Sequence, residues 1–427
     1  MSGNNTESQW TEQTHYMGVD WSKRHHNVVV VDHEGKIVLD LQIEHTAEGW
    51  GRLREELTKL VGSELPRVAA TIETNCGPAV ERLLELGCPL YPLNPKAAGR
   101  YRDRKAPSGG KTDRLDALSF ADALRTDGHG WRQFRPEDPK VQELRIVCRD
   151  ELHLIEQRTA LVNKLRQALH EYYPAALEAF DDWTMEAAWA FVERFPTPEA
   201  LVKAGKRKWE KFLHTYKLYR PETYQKRLDI FASATRFCGG QAITNAKSML
   251  AVALAKQLRV LEQQLKIYRE RIEQLFKDHP DHDLFGSLPG IGKKLGPRLL
   301  GECGEDRNRF KDAQALQCYA GTAPVNYESG QIKKVKLRLA CNKNLRNAVH
   351  MWANLSRQKS LWAQVYYQQK RLEGKSHACA LRCLGQRWLK ILWKMLQTNQ
   401  PYNEQLHMQN QLKHGSWVFA MTEAENC

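Results

Sequence analysis

The stretch HYMGVDWSKRHHNVVVVDHEGKIVLDLQI, residues 15–43, decides the fold. HYMGVDW is short and apolar, NVVVVD is β-branched through its middle, and KIVLDLQI alternates apolar with polar. Each reads as a strand. His33, Glu34 and Gly35 make the turn between the second and third. Working outward, a helical stretch covers about Gly49 to Leu60, and RVAATIET reads as a fourth strand. A helix follows from about Pro78 to Leu86, PLYPLN reads as a fifth strand, and a further helix carries KTDRLDAL, residues 111–118. Three strands followed by alternating helix and strand predict an α/β domain, a mixed sheet with helices on its faces.

Acidic residues fall at particular places in this pattern. Asp20 lies in the first strand and Glu73 ends the fourth. Asp113 and Asp116 sit three apart on the later helix, which puts both on one face. In a ribonuclease-H-like sheet the first and fourth strands are neighbours and a later helix covers their ends, so all four acids would converge. Taken singly each is ordinary: GVD is common at strand ends, and Asp116 could pair with Arg114 or Arg125 on the surface. Taken together, four carboxylates repel one another unless cations lie between them. Mg²⁺ is a hard ion that takes oxygen ligands. Two such ions roughly 4 Å apart clamp the attacking and leaving oxygens of a phosphodiester. Lys111, at the start of the same run, adds positive charge where a phosphate would approach.

The whole chain points to a polyanionic partner. Its 427 residues allow two or three domains, and its formal net charge is +14. The ten cysteines include no CxxC pair, which argues against a disulfide scaffold or zinc ribbon and for a reducing cytosol. His377, Cys379 and Cys383 lie close together, but packing on a helix is the simpler reading of the two cysteines. No apolar run approaches the roughly 20 residues a membrane span needs. Residues 1–15 are polar, without a signal-peptide core, and read as a flexible tail.

Beyond the sheet, residues 16–135 give way to a helical region over 136–282. Leu144, Cys148, Leu152, Ile155, Val162, Leu165 and Leu169 form one stripe. Leu254, Leu261, Tyr268 and Leu275 repeat every seventh residue, with Leu258, Leu265 and Ile272 filling a second seam. That is about three heptads of a coiled coil, which can pair within the chain or with a partner subunit. Residues 174–240 hold aromatic-rich short helices of no legible role.

A basic domain spans 283–396, and a polar tail closes the chain over 397–427. SLPGIGKKLGPRLLGE, residues 287–302, has the form of a helix-hairpin-helix turn. There Gly290 and Gly292 would let the backbone near a phosphate, with charge from Lys293 and Lys294. Between Glu328 and Glu373 no acidic residue occurs, while Lys333, Lys334, Lys336, Arg338, Lys343 and Arg346 do. Trp352, Trp362, Tyr366 and Tyr367 are interleaved with further basic residues. Basic side chains neutralise phosphates and aromatics stack on unpaired bases, although some of these aromatics belong to a core. Ser329, before Gly330, reads from chemistry alone as a turn residue, with no His–Asp pair nearby to activate it.

GVDWSK, TIET, YPLNP and KTDRLDAL together resemble the DEDD transposases of bacterial insertion sequences, and LPGIG and APVNYESG resemble the second half of the same proteins. The family is insertion-sequence family one-hundred-ten, RNA-guided bridge recombinases, and the resemblance covers about residues 16–395. It implies a RuvC-like (ribonuclease-H-like) N-terminal domain, a coiled-coil linker and a mostly helical C-terminal transposase domain. It further implies that Asp20, Glu73, Asp113 and Asp116 form the DEDD set for Mg²⁺, two ions per site. Ser329 would be the nucleophile that forms a phosphoserine link to DNA. The implied partners are double-stranded donor and target DNA, a noncoding guide (bridge) RNA, and further copies of the chain as a dimer or a tetramer built as a dimer of dimers with composite sites. The implied location is the bacterial cytoplasm, at the nucleoid. Two readings compete: a RuvC-like nuclease that hydrolyses DNA with metal-activated water, and a nucleic-acid-binding protein without chemistry.

Overall fold

The computed structural model describes residues 10, 12–233, 239–418 and 421. The chain divides after Pro136 into two compact units. Residues 1–9 and 11 of the expected N-terminal tail lie outside the described residues, as do 234–238 of the aromatic region and 419–420 and 422–427 of the closing tail.

In the first unit β1 (His15–Trp21), β2 (His25–Asp32) and β3 (Ile37–Glu44) form an antiparallel meander. β4 (Val68–Ile72) pairs parallel with β1, giving the order β3-β2-β1-β4. A parallel neighbour requires a crossover, here made by α1 (Ala47–Val61). The Thr46 hydroxyl caps it by accepting from the Gly49 N–H. α1 buries Trp50, Leu53 and Leu57. The run of four valines in β2 is buried on both sides. Val28 and Val30 join one core with α1 and α2 (Pro78–Leu86), whereas Val29 and Val31 join a second on the opposite face. Buried on two faces, the strand loses its alternation.

α3 (Pro95–Lys105) and α4 (Asp113–Asp127) complete the unit. α4 packs on β1 and β2 at the second core, through Ala117, Ala121 and Leu124. The expected fifth strand is reduced to one parallel bridge, Ala70 with Leu90. Its backbone still follows β4: the Tyr91 N–H donates to the Ala70 carbonyl at 2.8 Å and the Leu93 N–H to that of Ile72 at 2.9 Å. Pro89 and Pro92 carry no N–H, so the ladder does not extend.

Among its described residues the second unit is built of helices and one hairpin. α5 (Pro139–Tyr172) and α11 (Gln241–Lys277) are its longest elements and pack along each other. Ion pairs join Glu143 to Arg271, Glu151 to Arg269, Arg158 to Glu262 and Glu171 to Lys247. Numbers that rise on one helix fall on the other, so the pair is antiparallel. Leu254, Leu258, Leu265, Ile272 and Leu275 of the heptad seams are buried. These residues therefore pack within the same chain, against α5 and the helices beside it, the intrachain of the two pairings the spacing allows.

Two cores sit at opposite ends of this helix pair. At one end α6 (Pro174–Ala179), α7 (Glu186–Arg194), α8 (Pro198–Ala204), α9 (Lys206–Thr215) and α10 (Pro221–Ser233) close over Leu165, Leu169, Leu254 and Leu258. Trp183, Trp189, Phe191, Phe195, Trp209 and Phe212 fill it, which gives the aromatic-rich region a structural role. At the other end Leu144, Cys148, Ile272 and Phe276 meet the C-terminal helices. These are α12 (His282–Gly286), α13 (Gly292–Cys303), α14 (Ala313–Tyr319), α15 (Lys343–Ser356), α16 (Leu361–Leu372) and α17 (His377–Thr398). A further helix, α18 (Glu404–Lys413), stands where a plain polar tail was expected. Between α14 and α15, β5 (Val325–Ser329) and β6 (Ile332–Lys336) form a hairpin exposed at every residue. Among the described residues no helix is long and apolar enough to cross a membrane.

Candidate active site

The acidic cleft is built around Gly18. A Cβ at this position would lie 2.0 Å from the Ala117 carbonyl oxygen and 2.5 Å from the Ala121 nitrogen. Only glycine lets the α4 backbone rest directly on β1. Asp20 is two residues along the same strand face, and Asp113 and Asp116 lie in the first turn of α4, just before Ala117. β1 and β4 are in parallel register up to Val19 and Ile72, so the next residues, Asp20 and Glu73, stand level. The Thr112 hydroxyl caps α4, accepting from the Leu115 N–H at 3.1 Å. The helix N-terminus favours the two aspartates. Asp20, Glu73, Asp113 and Asp116 thus line one cleft of about 380 Å³ with Trp21, Ser22, Pro95, Gly99, Arg102 and Lys111.

Burial and crowding raise the proton affinity of two of these acids, Asp20 and Glu73. Asp20 is pushed up to about 7, first by burial and then by the charges of Asp113, Asp116 and Glu73, with Lys111 opposing. Glu73 is raised by burial and by Asp116, against Arg102 and Lys111. Asp116 is 4% exposed and pairs with neither Arg114 nor Arg125, the two partners its sequence neighbourhood suggested. Arg114 reaches Asp40 at 2.5 Å and Arg125 reaches Asp122 at 2.8 Å. Arg102 instead donates to both Asp116 oxygens at 3.1 Å. Sequence reading missed Arg102. The signal for it was Pro95, Gly99 and Arg102 at i, i+4 and i+7 on one face of α3.

A cation can be tested against this arrangement. The donors are all carboxylate oxygens, which suits a hard divalent ion. Asp20 held near 7 marks negative charge that a cation would relieve. With side chains as placed, however, no group of three or more Asp, Glu, His or Cys among the described residues is drawn close enough to hold a metal ion. Asp116 would have to exchange Arg102 for the ion. Nor are His377, Cys379 and Cys383 gathered to hold an ion, and the His377 ring instead meets the Tyr367 hydroxyl at 2.7 Å.

Behind the cleft, the His26 Nδ1 accepts the Ser22 N–H at 3.2 Å, and its Nε2 meets the His45 Nδ1 at 2.8 Å. The Trp50 Nε1–H also donates to the His45 Nδ1, at 3.4 Å, so that nitrogen is an acceptor and His26 carries its proton on Nε2. His26 is fully buried and pushed down to about 4 by burial and by His45 and His25.

The second unit carries the basic residues. Ser329 closes β5 opposite Ile332, and Gly330 takes φ +55° in the turn. Lys333 and Lys334 oppose Glu328 and Tyr327, and the Lys336 Nζ lies 4.5 Å from the Tyr327 ring centre. Arg338 is tied inward: its Nε donates to the Ala323 carbonyl at 3.2 Å and braces the hairpin base. Lys343 and Arg346 line a cleft of about 440 Å³ with His350 and Arg382. In the LPGIG turn, Gly290 has φ +76°, and a Cβ there would lie 2.8 Å from the backbone of Leu355 and of Ser356. Gly290 therefore serves packing against α15, and the approach expected of a phosphate is taken by protein. Gly292, with φ +55°, has open space at its Cβ position. Lys293 pairs with Glu273 at 2.6 Å, and Lys294 is exposed. Trp352, Trp362 and Tyr366 are buried in the C-terminal core, which takes them off the exposed surface. Tyr367 is half-buried beneath the Arg357 guanidinium.

Two family models match the chain, one over the four acids and one over Ser329. A family model described as a transposase matches residues 17–174, which hold all four acids of the cleft. A second, described as the transposase IS116/IS110/IS902 family, matches residues 282–368, which hold Ser329. The chain is 34% identical over 399 residues to the mini-circle putative transposase for IS117 of Streptomyces coelicolor, covering 92% of this chain and 96% of that protein. It is 29% identical over 401 residues to the insertion element IS900 uncharacterized 42 kDa protein of Mycobacterium paratuberculosis, covering 91% and 97%. A shorter match, 30% over 129 residues, is to the pilin gene-inverting protein of Moraxella bovis, covering 29% of this chain and 39% of that protein.

Proposed function

Because the chain belongs to the IS110 family of transposases, we propose that it recombines DNA through its acidic cleft and the Ser329 hydroxyl, guided by an RNA. One observation carries the reading: Asp20, Glu73, Asp113 and Asp116, from three separate elements, line a single cleft. The sheet order β3-β2-β1-β4 with α4 across it supports a ribonuclease-H-like (RuvC-like) unit. When bound, Mg²⁺ would supply Lewis-acid stabilisation of charge on the phosphate oxygens. Asp20, Glu73, Asp113 and Asp116 would hold it, and Arg102 would release Asp116 and turn to the DNA phosphate.

The serine step balances without further reactants. The Ser329 Oγ attacks phosphorus, its proton leaves to base, and a serine–phosphate ester forms. The bond to the neighbouring nucleotide breaks, and that oxygen leaves as a protonated hydroxyl. A hydroxyl of the second DNA reverses the step and rejoins the strands. Since Ser329 stands on an exposed hairpin, the activating group would come from the acidic cleft, in a dimer or tetramer with composite sites, acting in the bacterial cytoplasm. Sequence choice would lie in RNA–DNA pairing, while Lys333, Lys334 and Lys336 neutralise backbone phosphate.

Ser329→Ala decides between recombinase and hydrolase. The variant is expected to lose both the covalent protein–DNA adduct and strand transfer on a paired donor and target, with duplex binding retained. Continued cutting by Ser329→Ala would establish the hydrolytic nuclease instead. Asp20→Ala is expected to abolish cutting in either case. Unchanged activity there would remove the acidic cleft from the chemistry.

A further inference from the structure

Beyond the hairpin and the acidic cleft, α17 and α18 enclose a cleft of about 660 Å³. On α17 it is lined by Arg387, Lys390, Ile391, Lys394 and Thr398, one face at helical spacing. On α18 and its caps it is lined by Asn403, Leu406, His407, Asn410 and His414, again one face. Among the described residues that line it there is no Asp or Glu, and there are three permanent cations. Its floor is aromatic and fixed. The Trp362 Nε1–H donates to the Tyr402 hydroxyl at 2.9 Å, and the Tyr402 N–H donates to the Ser287 Oγ at 2.8 Å. The Arg387 guanidinium lies over the Tyr366 ring at 5.5 Å. His407, 4.8 Å from the Trp362 ring centre, is pushed down to about 4 by burial and by Arg387, and so presents a neutral ring.

We propose that the cleft between α17 and α18 binds a nucleotide unit of single-stranded nucleic acid, its phosphate on Lys390 and Lys394 and its unpaired base against Leu406, Ile391 and the His407 ring. The charge pattern selects a polyanion, because the described walls carry Arg387, Lys390 and Lys394 and no carboxylate. The depth and the apolar, aromatic interior select an unpaired base, because a base held in a duplex cannot leave its stack to enter. Asn403, Asn410 and Gln411 add hydrogen-bonding edges suited to a base or sugar. The α17 and α18 faces lie outside both family-matched segments, which end at residue 368.

The test uses the full-length protein and fluorescently labelled oligonucleotides: a single-stranded RNA, a single-stranded DNA and a DNA duplex, each measured by anisotropy. Two variants are compared with the parent. Lys390→Ala combined with Lys394→Ala removes the phosphate contact. Leu406→Trp fills the cleft without changing charge, at a side chain 55% exposed that a larger residue can replace. Both are expected to weaken single-strand binding about ten-fold or more and leave duplex binding unchanged. Loss on RNA alone, DNA alone or both identifies which strand the cleft takes. Equal loss on duplex and single strand, or single-strand binding unaffected by Leu406→Trp, overturns the proposal.

Discussion

Asp20 carries a carboxyl whose affinity for a proton is raised first by burial and then by three other acids, which links the stability of the metal-free protein to pH. Its folded value of about 7 lies above the ordinary 3.8, so between these limits the folded state binds the proton more tightly than the unfolded one. Stability must then fall as pH rises through that window. His26 works in the opposite direction. Its folded value of about 4 lies below the ordinary 6.5, so its contribution is present above 6.5 and is lost as pH falls toward 4. The two windows overlap and oppose. Asp20→Asn removes one of them, and its denaturant-unfolding stability, measured in a chelator from pH 4 to 7, should rise more steeply with pH than the parent's. A parallel pair of curves would show that Asp20 is not held up by its neighbours. The candidate acids were legible because each sits at a strand end or on a helix whose register the sequence displays. Arg102 was not, because which cation reaches Asp116 depends on how α3 lies against α4.

At the scale of elements, Gly18 is where α4 meets the sheet. Gly18→Ala would set a methyl group against the backbone of Ala117 and Ala121, which no rotamer change relieves. The expected loss is about 3 kcal/mol or more, read by denaturant unfolding of the full chain. Stability within 1 kcal/mol of the parent, about the scatter of surface changes, would mean that α4 does not rest there. Thr112→Ala removes the α4 cap and should cost about 1 kcal/mol. A larger share of its effect should appear in DNA cutting, because the first turn holds Asp113 and Asp116. In the second unit, Leu165 and Leu258 are both buried where α5 and α11 join the aromatic core. Leu258→Ala should lower stability by about 2–5 kcal/mol without altering oligomeric state in sedimentation, because the seam is filled within the chain. The heptad spacing was legible, and the partner was not: period 3.5 states that a helix has an apolar seam, and the same pattern serves either pairing.

The whole molecule places its acidic chemistry and its exposed basic hairpin in different compact units. With a formal net charge of +14, duplex binding should fall steeply with salt. Replacing both Lys333 and Lys334 by Ala should reduce the slope of log K against log salt by about 2, since each released phosphate contact contributes roughly 0.9. An unchanged slope would place the DNA elsewhere than on the hairpin. Much of the molecule could be read from the chain: the meander, the crossover helix, the order of the acids, and the long helical stripes. All of these rest on interactions between residues near in sequence, where apolar period and turn chemistry repeat what the backbone will do. The tertiary structure alone decided that Arg102 holds Asp116, that α5 fills the seam of α11, that Gly290 packs against α15, and that α17 and α18 enclose a basic cleft. Those outcomes depend on which distant surfaces come within a few ångströms of each other. Packing and charge pairing across the folded chain determine that, and no local pattern encodes it.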